Sequence, residues 1–494
     1  MSDDFKSQRR STPFYNWLSL AGGVVALGSF FAFILLFVID VAAHHGNPYL
    51  GILAYVVAPA FLFLGSGMAA AGYLIQRRHA RRAAPGAAPG GWAIDLSRPR
   101  DRRNLQIFIG AAAIFLLCTA IGSYQTYHMT ESVVFCGQVC HEPMKPEFTA
   151  YLNGPHARVA CTECHVGAGA EAFVQAKLNG VHQLLSMFSG DYDRPIKTPV
   201  ANLRPAQETC EQCHWPRKFD GNLDRTYTHY LADETNTPFT VRLLLKVGGG
   251  DSAHGPAHGI HWHMSLENIV EYIATDDRRQ VIPWVRVTNS KGEVTVYQTS
   301  DFDGDPGAHT IRRMDCIDCH NRPSHIFQSP NDAVDLALSL GKIDPAIPWI
   351  KSNAVAVLTE PYETEEEGLN KIGSVLRENY PGHPQADALV ATVQDIFRLN
   401  FFPEMKTDWR SHPNNKGHKE WAGCFRCHDG SHSTVDGTKS IAASDCNACH
   451  VILAQGAGED LAKLNPDGHT FFHIDSEYTE PACNICHTGG RMEF

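Results

Sequence analysis

Cysteine is almost missing from this 494-residue chain outside seven short motifs, because only Cys118 of its 15 cysteines lies elsewhere. The close pairing within the motifs excludes a disulfide framework, since a disulfide between neighbouring motif cysteines would be badly strained. A zinc ribbon also pairs Cys-x-x-Cys knuckles, but it gives no reason for a histidine after every second cysteine.

Basic residues are also few over most of the chain, because residues 104–494 contain 31 Lys and Arg against 48 Asp and Glu. This acidic balance argues against a nucleic-acid partner, which would require an excess of basic charge. It would suit a docking partner with a basic face, although solubility alone also explains it.

The seven motifs share a histidine that directly follows the second cysteine. Six read Cys-x-x-Cys-His, and the first, at residues 136–141, has one residue more between its cysteines. Cys-x-x-Cys-His is the attachment sequence of c-type haem. The two thiols form thioethers with the vinyl groups of one porphyrin edge, and the histidine can then bind the iron. We therefore predict seven covalently attached haem c groups.

The predicted haem-attachment residues follow from the motifs. The thioether cysteines are Cys136, Cys140, Cys161, Cys164, Cys210, Cys213, Cys316, Cys319, Cys424, Cys427, Cys446, Cys449, Cys483 and Cys486. The motif histidines are His141, His165, His214, His320, His428, His450 and His487.

Three stretches before the first motif lack charged residues and are long enough to span a bilayer: residues 17–39, 49–75 and 105–127. The first is too long for the apolar region of a signal peptide, which favours an uncleaved anchor. Residues 1–127 are therefore predicted to form a membrane anchor with three transmembrane helices.

The basic residues around these stretches predict the orientation. The N-terminal tail contains Lys6, Arg9 and Arg10, residues 77–103 contain eight arginines, and the short loop around His44 has no Lys or Arg. Since cytoplasmic loops are enriched in Lys and Arg, the N-terminus is predicted to be cytoplasmic. Everything after the third stretch would then lie in the periplasm of a bacterium, where haem c is attached.

The exported region is expected to be mainly α and irregular and packed around its haems, with a small β-hairpin insert. We divide it into a three-haem region (128–220), a β-containing insert with the fourth haem (221–330), and a helical segment followed by three haems (331–494). Two β-branched runs within residues 281–299 flank Asn-Ser-Lys-Gly and predict the hairpin. Helical periodicity begins at Asn331, a possible N-cap.

Residues 128–180, which include VVFCGQVCHEPM, and residues 202–219 (NLRPAQETCEQCHWPRKF) resemble the NapC/NirT family of membrane-anchored quinol dehydrogenases. With its three apolar stretches and seven motifs, the whole chain is similar to a seven-haem inner-membrane branch of that family from metal-respiring bacteria. The resemblance implies that the protein oxidises membrane quinol. Electrons would then pass through the haems to periplasmic c-type cytochromes or other acceptors.

The resemblance also implies unusual ligation of the first haem. In some family members a methionine just after the first motif binds the iron, and Met144 occupies that position here. Either His141 or Met144 would then be the ligand, and the alternative is that Met144 only packs on the haem edge. The additional residue, one of Gly137, Gln138 or Val139, would be looped out.

A quinol site is implied by a family lysine twelve residues after the second motif histidine, which corresponds to Lys177. Its ammonium group could hydrogen-bond a quinol oxygen as protons leave. The acidic partner of some members is replaced by Leu184, so His182 or Gln183 would have to stand in for it. The alternative for Lys177 is a solvated surface lysine.

A low-spin haem needs a second axial ligand, usually another histidine, and the chain has 26 histidines. Proximity to a motif, and for His156 the family pattern, favours five of them: His156, His229, His325, His412 and His473. Further candidates are His128, at the end of the third apolar stretch, and His261 and His263. On an extended strand the last two would point the same way.

Two other functions stay open at this point. A terminal reductase, for example of nitrite, would need a haem with an open axial position, which the abundance of histidine disfavours. A haem relay subunit of a larger respiratory complex would use the anchor only as a tether. The enzyme class that we favour is a quinol dehydrogenase.

Overall fold

The computed structural model describes residues 16–42, 57–82, 97–139, 141–166, 179–180, 182–183, 185–200, 203–249, 258–265, 267–441, 446–474 and 482–491. The chain forms two compact units. The first comprises Met1–Ser132 with Val166–Leu185, and the second comprises Val133–His165 with Ser186–Phe494.

The first unit contains three long helices: α1 (Trp17–Ala42), α2 (Ala58–Arg82) and α3 (Pro99–Thr130). Within α1 and α2, the segments Trp17–Ile34 and Ala58–His79 are long and apolar enough to cross a membrane. The predicted third stretch lies within α3, whose membrane crossing stays a prediction. Residues 49–56 of the predicted second stretch lie outside the described residues.

Close backbone contact between α1 and α2 depends on small residues. A Cβ on Gly22 or Gly65 would overlap backbone atoms of the other helix. Small residues of this kind let helices approach closely where the surroundings are apolar. At the start of α1, Ser19 Oγ donates a hydrogen bond to the carbonyl of Ala69 at 3.1 Å, which also links the two helices.

The motif-bearing segments of the second unit are short. Motif one lies on a π-helical turn (Phe135–Val139), followed by α4 (His141–Leu152), and motif two forms α5 (Cys161–His165). Motif three is a 3₁₀ turn (Cys210–Gln212), motif four is α6 (Cys316–Cys319), and motif five is a 3₁₀ turn (Gly423–Arg426).

Four longer helices follow motif four: α7 (Pro330–Ser339), α8 (Ile350–Thr359), α9 (Glu365–Asn379) and α10 (Ala386–Asn400). They enclose a conventional apolar core that includes the fully buried Ile350, Leu358 and Leu376. The N-cap of α7 is Ser329, which accepts a hydrogen bond from the backbone of Asp332, and not Asn331 as the sequence suggested. Motifs six and seven lie on α11 (Cys446–Cys449) and α12 (Cys483–Cys486).

Within the described residues, seven strands form two antiparallel sheets. The first sheet has the order β1 (Leu223–Tyr230), β2 (Pro238–Leu245), β7 (His450–Gly456), and the sequence analysis did not predict it. Its last strand begins at the histidine of motif six.

The second sheet has the order β5 (Val294–Gln298), β4 (Trp284–Thr288), β3 (Ile269–Ile273), β6 (Arg312–Arg313). Within residues 281–299, β4 pairs with β5 from Trp284 opposite Gln298 to Thr288 opposite Val294. The strand content of residues 221–330 is therefore larger than one hairpin.

Candidate haem-binding and electron-transfer site

The additional residue of motif one lies in the π-helical turn Phe135–Val139. Such a turn closes i→i+5 hydrogen bonds and so accommodates one residue more than an α-helical turn. Gly137 is buried within it, and a Cβ at this position would overlap the ring of Phe148. The turn therefore requires glycine at the second position of the motif. Cys140 and the side chain of His141 lie outside the described residues.

Met144 lies in the first turn of α4 and is half-buried. It follows His141 by one helical turn, so both residues lie on one side of the helix. The ligand of the first haem, His141 or Met144, stays a prediction.

The motif-four helix shows how the local sequence orients an attachment site. Asp315 and Asp318 form a capping box at the N-terminus of α6. The side chain of Asp315 accepts a hydrogen bond from the backbone N–H of Asp318, and the side chain of Asp318 accepts one from the backbone N–H of Asp315. Asp318 also accepts hydrogen bonds from Tyr272 Oη at 2.5 Å and from Arg279 at 3.2 Å. The second sheet, through Tyr272 on β3, thus fixes the short helix that bears Cys316, Cys319 and His320.

Each of the other six motif histidines faces a histidine from elsewhere in the second unit. The ring centroids of these pairs are 5.9–6.3 Å apart. In motif order, the pairs are His165 with His325, His214 with His156, His320 with His261, His428 with His263, His450 with His418, and His487 with His473.

This spacing fits two imidazoles that bind one iron from opposite faces of a porphyrin. Metal–imidazole bonds of about 2 Å, with about 1 Å more from nitrogen to ring centre on each side, give centroids roughly 6 Å apart. The pairs therefore have the separation that bis-histidine haem ligation requires, and one histidine of each pair directly follows the second cysteine of a motif.

The hydrogen bonds of the opposing histidines leave Nε2 for the metal. Nδ1 lies 3.1 Å from the Pro323 carbonyl in His156 and 3.0 Å from the Glu147 carbonyl in His325. In His261 it lies 3.1 Å from the carbonyl of Val247, and in His263 it lies 2.9 Å from that of Ile260. A metal-bound histidine commonly donates its other N–H to such an acceptor, which fixes the ring orientation.

The predicted distal candidates divide into two groups. His156, His325, His473, His261 and His263 each face a motif histidine. The His-Trp-His segment is a 3₁₀ turn (Ile260–Met264) and not an extended strand. Because of this turn, His261 and His263 face the histidines of two different motifs, four and five.

His229 and His412 make other contacts. Nδ1 of His229 lies 3.1 Å from a carboxylate oxygen of Asp335, and Nδ1 of His412 lies 2.7 Å from Thr198 Oγ1. Neither ring faces a motif histidine among the described side chains, which do not include that of His141, so their selection as distal ligands stays a prediction. His128 lies exposed in the last turn of α3.

The sequence analysis missed His418, which faces His450. It precedes Cys424 by six residues, much as His156 precedes Cys161 by five, so a proximity signal was present. His156 precedes motif two but faces the histidine of motif three, and His418 precedes motif five but faces the histidine of motif six. Distance in sequence alone gives no sign of this.

Burial gives several of the paired imidazoles, although not all, the protonation state that a metal ligand needs. It lowers the pKa of His165, His263 and His320 below the ordinary value for histidine. These rings are therefore neutral at neutral pH, and a neutral imidazole nitrogen can bind iron.

The cysteines show that successive motifs are neighbours in space. A hydrogen bond with Cys136 lowers the pKa of the Cys161 thiol to about 7, so motifs one and two are in contact. Burial raises the pKa of Cys164, and the nearby Cys210 raises it further. The same two causes raise the pKa of Cys316 to about 12. Burial raises the pKa of Cys319 to about 11, and Cys424 of motif five contributes. Motifs one to five are thus adjacent in chain order.

The predicted quinol-site residues are only partly described. His182 and Gln183 are exposed in the first unit, and Lys177 and Leu184 lie outside the described residues.

Comparison with known proteins decides the family. The model of the NapC/NirT cytochrome c family, N-terminal region, matches residues 98–222. The chain is 40% identical to the cytochrome c-type protein ImcH of Geobacter sulfurreducens, over 97% of this chain and 96% of the relative. The chain belongs to the NapC/NirT cytochrome c family. No solved structure matches it.

Membership of the NapC/NirT family implies covalently bound haem c and electron transport. Family members are membrane-anchored, which agrees with the two apolar helices α1 and α2. The family model spans motifs one to three, and the similarity to ImcH covers 97% of the chain.

Proposed function

We propose that this protein oxidises membrane quinol and passes the electrons through seven haem c groups to periplasmic acceptors, in anaerobic or metal respiration. The observation that carries the proposal is the set of six histidine pairs. Paired axial histidines close both faces of an iron, so these six sites suit electron transfer and disfavour reduction of a substrate at the metal. A terminal reductase is therefore the weaker alternative.

The fourteen motif cysteines and seven motif histidines would hold the haems, with His141 or Met144 at the first. The opposing ligands would be His325, His156, His261, His263, His418 and His473, for motifs two to seven in order. When bound, the haems supply one-electron redox chemistry. The chain's contribution is to keep the imidazoles neutral, to orient them through Nδ1, and to hold successive sites close together.

Quinol would be oxidised next to the first motif, with Lys177 as hydrogen-bond donor to a quinol oxygen. His182 or Gln183 would assist, and of these two side chains only an imidazole can accept a proton. The charge bias of the anchor supports a cytoplasmic N-terminus and a periplasmic haem region. Protons from quinol would then be released to the periplasm; release inside oriented vesicles, on the cytoplasmic side, would contradict this topology.

Stopped-flow absorbance tests the proposal. The oxidised protein is mixed with a menaquinol analogue, and the reduced c-haem band is followed in wild type and in Lys177→Ala. Lys197→Ala is the matched control, because Lys197 is an exposed lysine paired only with Asp193, at 3.3 Å. Rapid reduction that is lost only in Lys177→Ala supports the dehydrogenase and its site.

The other outcomes separate function from site. Rapid reduction in all three proteins keeps the function and removes Lys177 from it. If dithionite reduces the protein fully and quinol does not, the proposal is wrong, and the protein is a relay fed by a partner complex.

A further inference from the structure

The histidine pair of motif six differs from the others in its hydrogen bonds. Nδ1 of His418 and Nδ1 of His450 are both fully buried, and neither has a hydrogen-bond partner among the described residues. Four opposing histidines of other motifs direct the same atom at a backbone carbonyl. Because a buried N–H without a partner is costly, an exception on both sides of one site calls for an explanation.

An aromatic contact replaces the hydrogen bond at His418. The ring of Phe425 stacks on His418 with centroids 4.3 Å apart and planes 15° apart. Phe425 lies between the two cysteines of motif five, so this stack also joins the motif-five segment to a ligand of motif six. The stack can hold the imidazole plane without a hydrogen bond from Nδ1–H, which would increase the electron density of the imidazole.

A positive charge also lies at motif six. The ammonium group of Lys246 donates a hydrogen bond to the carbonyl of Asn447, which lies between the two motif cysteines. The backbone N–H of the same lysine donates to the carbonyl of Cys449 at 2.9 Å. The pairing of β2 with β7 extends as far as Leu245, which lies opposite His450. Lys246 directly follows Leu245, so the first sheet fixes this lysine beside the motif.

The missing Nδ1 hydrogen bonds, the burial of both Nδ1 atoms and the charge of Lys246 act in the same direction on a haem. A hydrogen bond from Nδ1–H raises the basicity of an axial imidazole and so stabilises ferric iron; without it the ferric state is less favoured. Burial and a nearby cation likewise disfavour the additional positive charge of the ferric state. Each feature therefore raises the reduction potential.

We propose that the missing Nδ1 hydrogen bonds and the charge of Lys246 raise the reduction potential of the haem of motif six, and that Phe425 is the residue that positions its ligand His418. The proposal rests on the proposed haem binding at motif six.

A mediated redox titration of the full-length protein, followed by absorbance and electron paramagnetic resonance, tests this proposal. His418→Ala converts the motif-six haem to high-spin and so identifies its component in the titration. The low-spin component that disappears in this variant is then that of motif six. Lys246→Met, which leaves both ligands in place, should lower the potential of that component alone and identifies it even if His418→Ala fails to mature.

Phe425→Leu tests the positioning role, with Phe219→Leu as the matched control. Phe219 packs on His261 at 4.6 Å, but His261 also has its hydrogen bond to Val247. We expect Phe425→Leu to change the resonance and potential of the motif-six haem, and Phe219→Leu to leave the motif-four haem unchanged.

The proposal is wrong if Lys246→Met leaves the potential of the component lost in His418→Ala unshifted. Equal effects of the two phenylalanine changes would remove the positioning role. The titration uses chemical mediators, so a failure of quinol oxidation leaves its result intact.

Discussion

The backbone of Gly137 lies directly against the ring of Phe148, so that a Cβ on Gly137 would overlap three ring carbons. The contact joins the π-helical turn of motif one to α4, the helix that begins at His141. A turn with one additional residue fits here only because its second position has no side chain.

Gly137→Ala should therefore disturb motif one. Either Phe148 or the turn has to move, and overpacking of this kind typically costs about 1–3 kcal/mol. We expect a lower melting temperature and a lower occupancy of haem at motif one, measured by haem content per chain and by mass spectrometry of the haem peptides. Gln138→Ala, next to it and exposed, is the control. Identical haem content and stability in the two variants would contradict the close packing.

Histidine substitutions distinguish the ligands proposed from the structure from those chosen by proximity in sequence. We expect His418→Ala to convert one low-spin haem to high-spin, because His418 faces His450. His229→Ala should leave the low-spin count unchanged, because His229 contacts Asp335. Electron paramagnetic resonance of the oxidised proteins counts both populations. The reverse pattern would restore the choice based on proximity.

The angle between the imidazole planes differs sharply between neighbouring sites. It is 5° for His261 and His320, and 88° for His263 and His428. Parallel axial rings split the iron dπ orbitals and give a rhombic resonance, whereas perpendicular rings leave them nearly degenerate and give a highly anisotropic one. His263→Ala should thus reduce the anisotropic signal and leave the rhombic signal, and His261→Ala should do the opposite. Equal losses from both signals in each variant would argue against these geometries.

The motif residues and the apolar helices could be predicted because their signals are local. Covalent haem attachment fixes the spacing of cysteine and histidine, and length and hydropathy identify α1 and α2. The strands β4 and β5 also have a local signal, an alternating pattern on both sides of a turn.

The opposing histidines could be selected only in part, because their roles depend on tertiary packing. His325 follows His320 of motif four by five residues, yet it faces His165 of motif two. His156 precedes motif two and faces His214 of motif three. Proximity in sequence thus finds residues near haem-bearing segments without showing which iron they face, and it also selects His412, whose Nδ1 lies 2.7 Å from Thr198 Oγ1.

His412 should make the stability of the protein depend on pH. Burial, and then the nearby charge of Arg322, lower the pKa of this histidine to about 4. In the unfolded chain histidine has a pKa of about 6.5. Between these values the unfolded state binds a proton that the folded state does not, so stability falls as pH decreases from about 6.5 to about 4.

Replacement of His412 by Gln should remove part of this dependence. The apparent melting temperature of His412→Gln, compared with that of wild type, should fall less between pH 7 and about pH 4.5. The effect at neutral pH combines the loss of the Thr198 contact with the new amide, so the slope with pH is the quantity to compare. His309→Gln, at an exposed histidine, is the control and should retain the wild-type slope. If His412→Gln also retains it, the buried imidazole is not the group whose protonation destabilises the fold in acid.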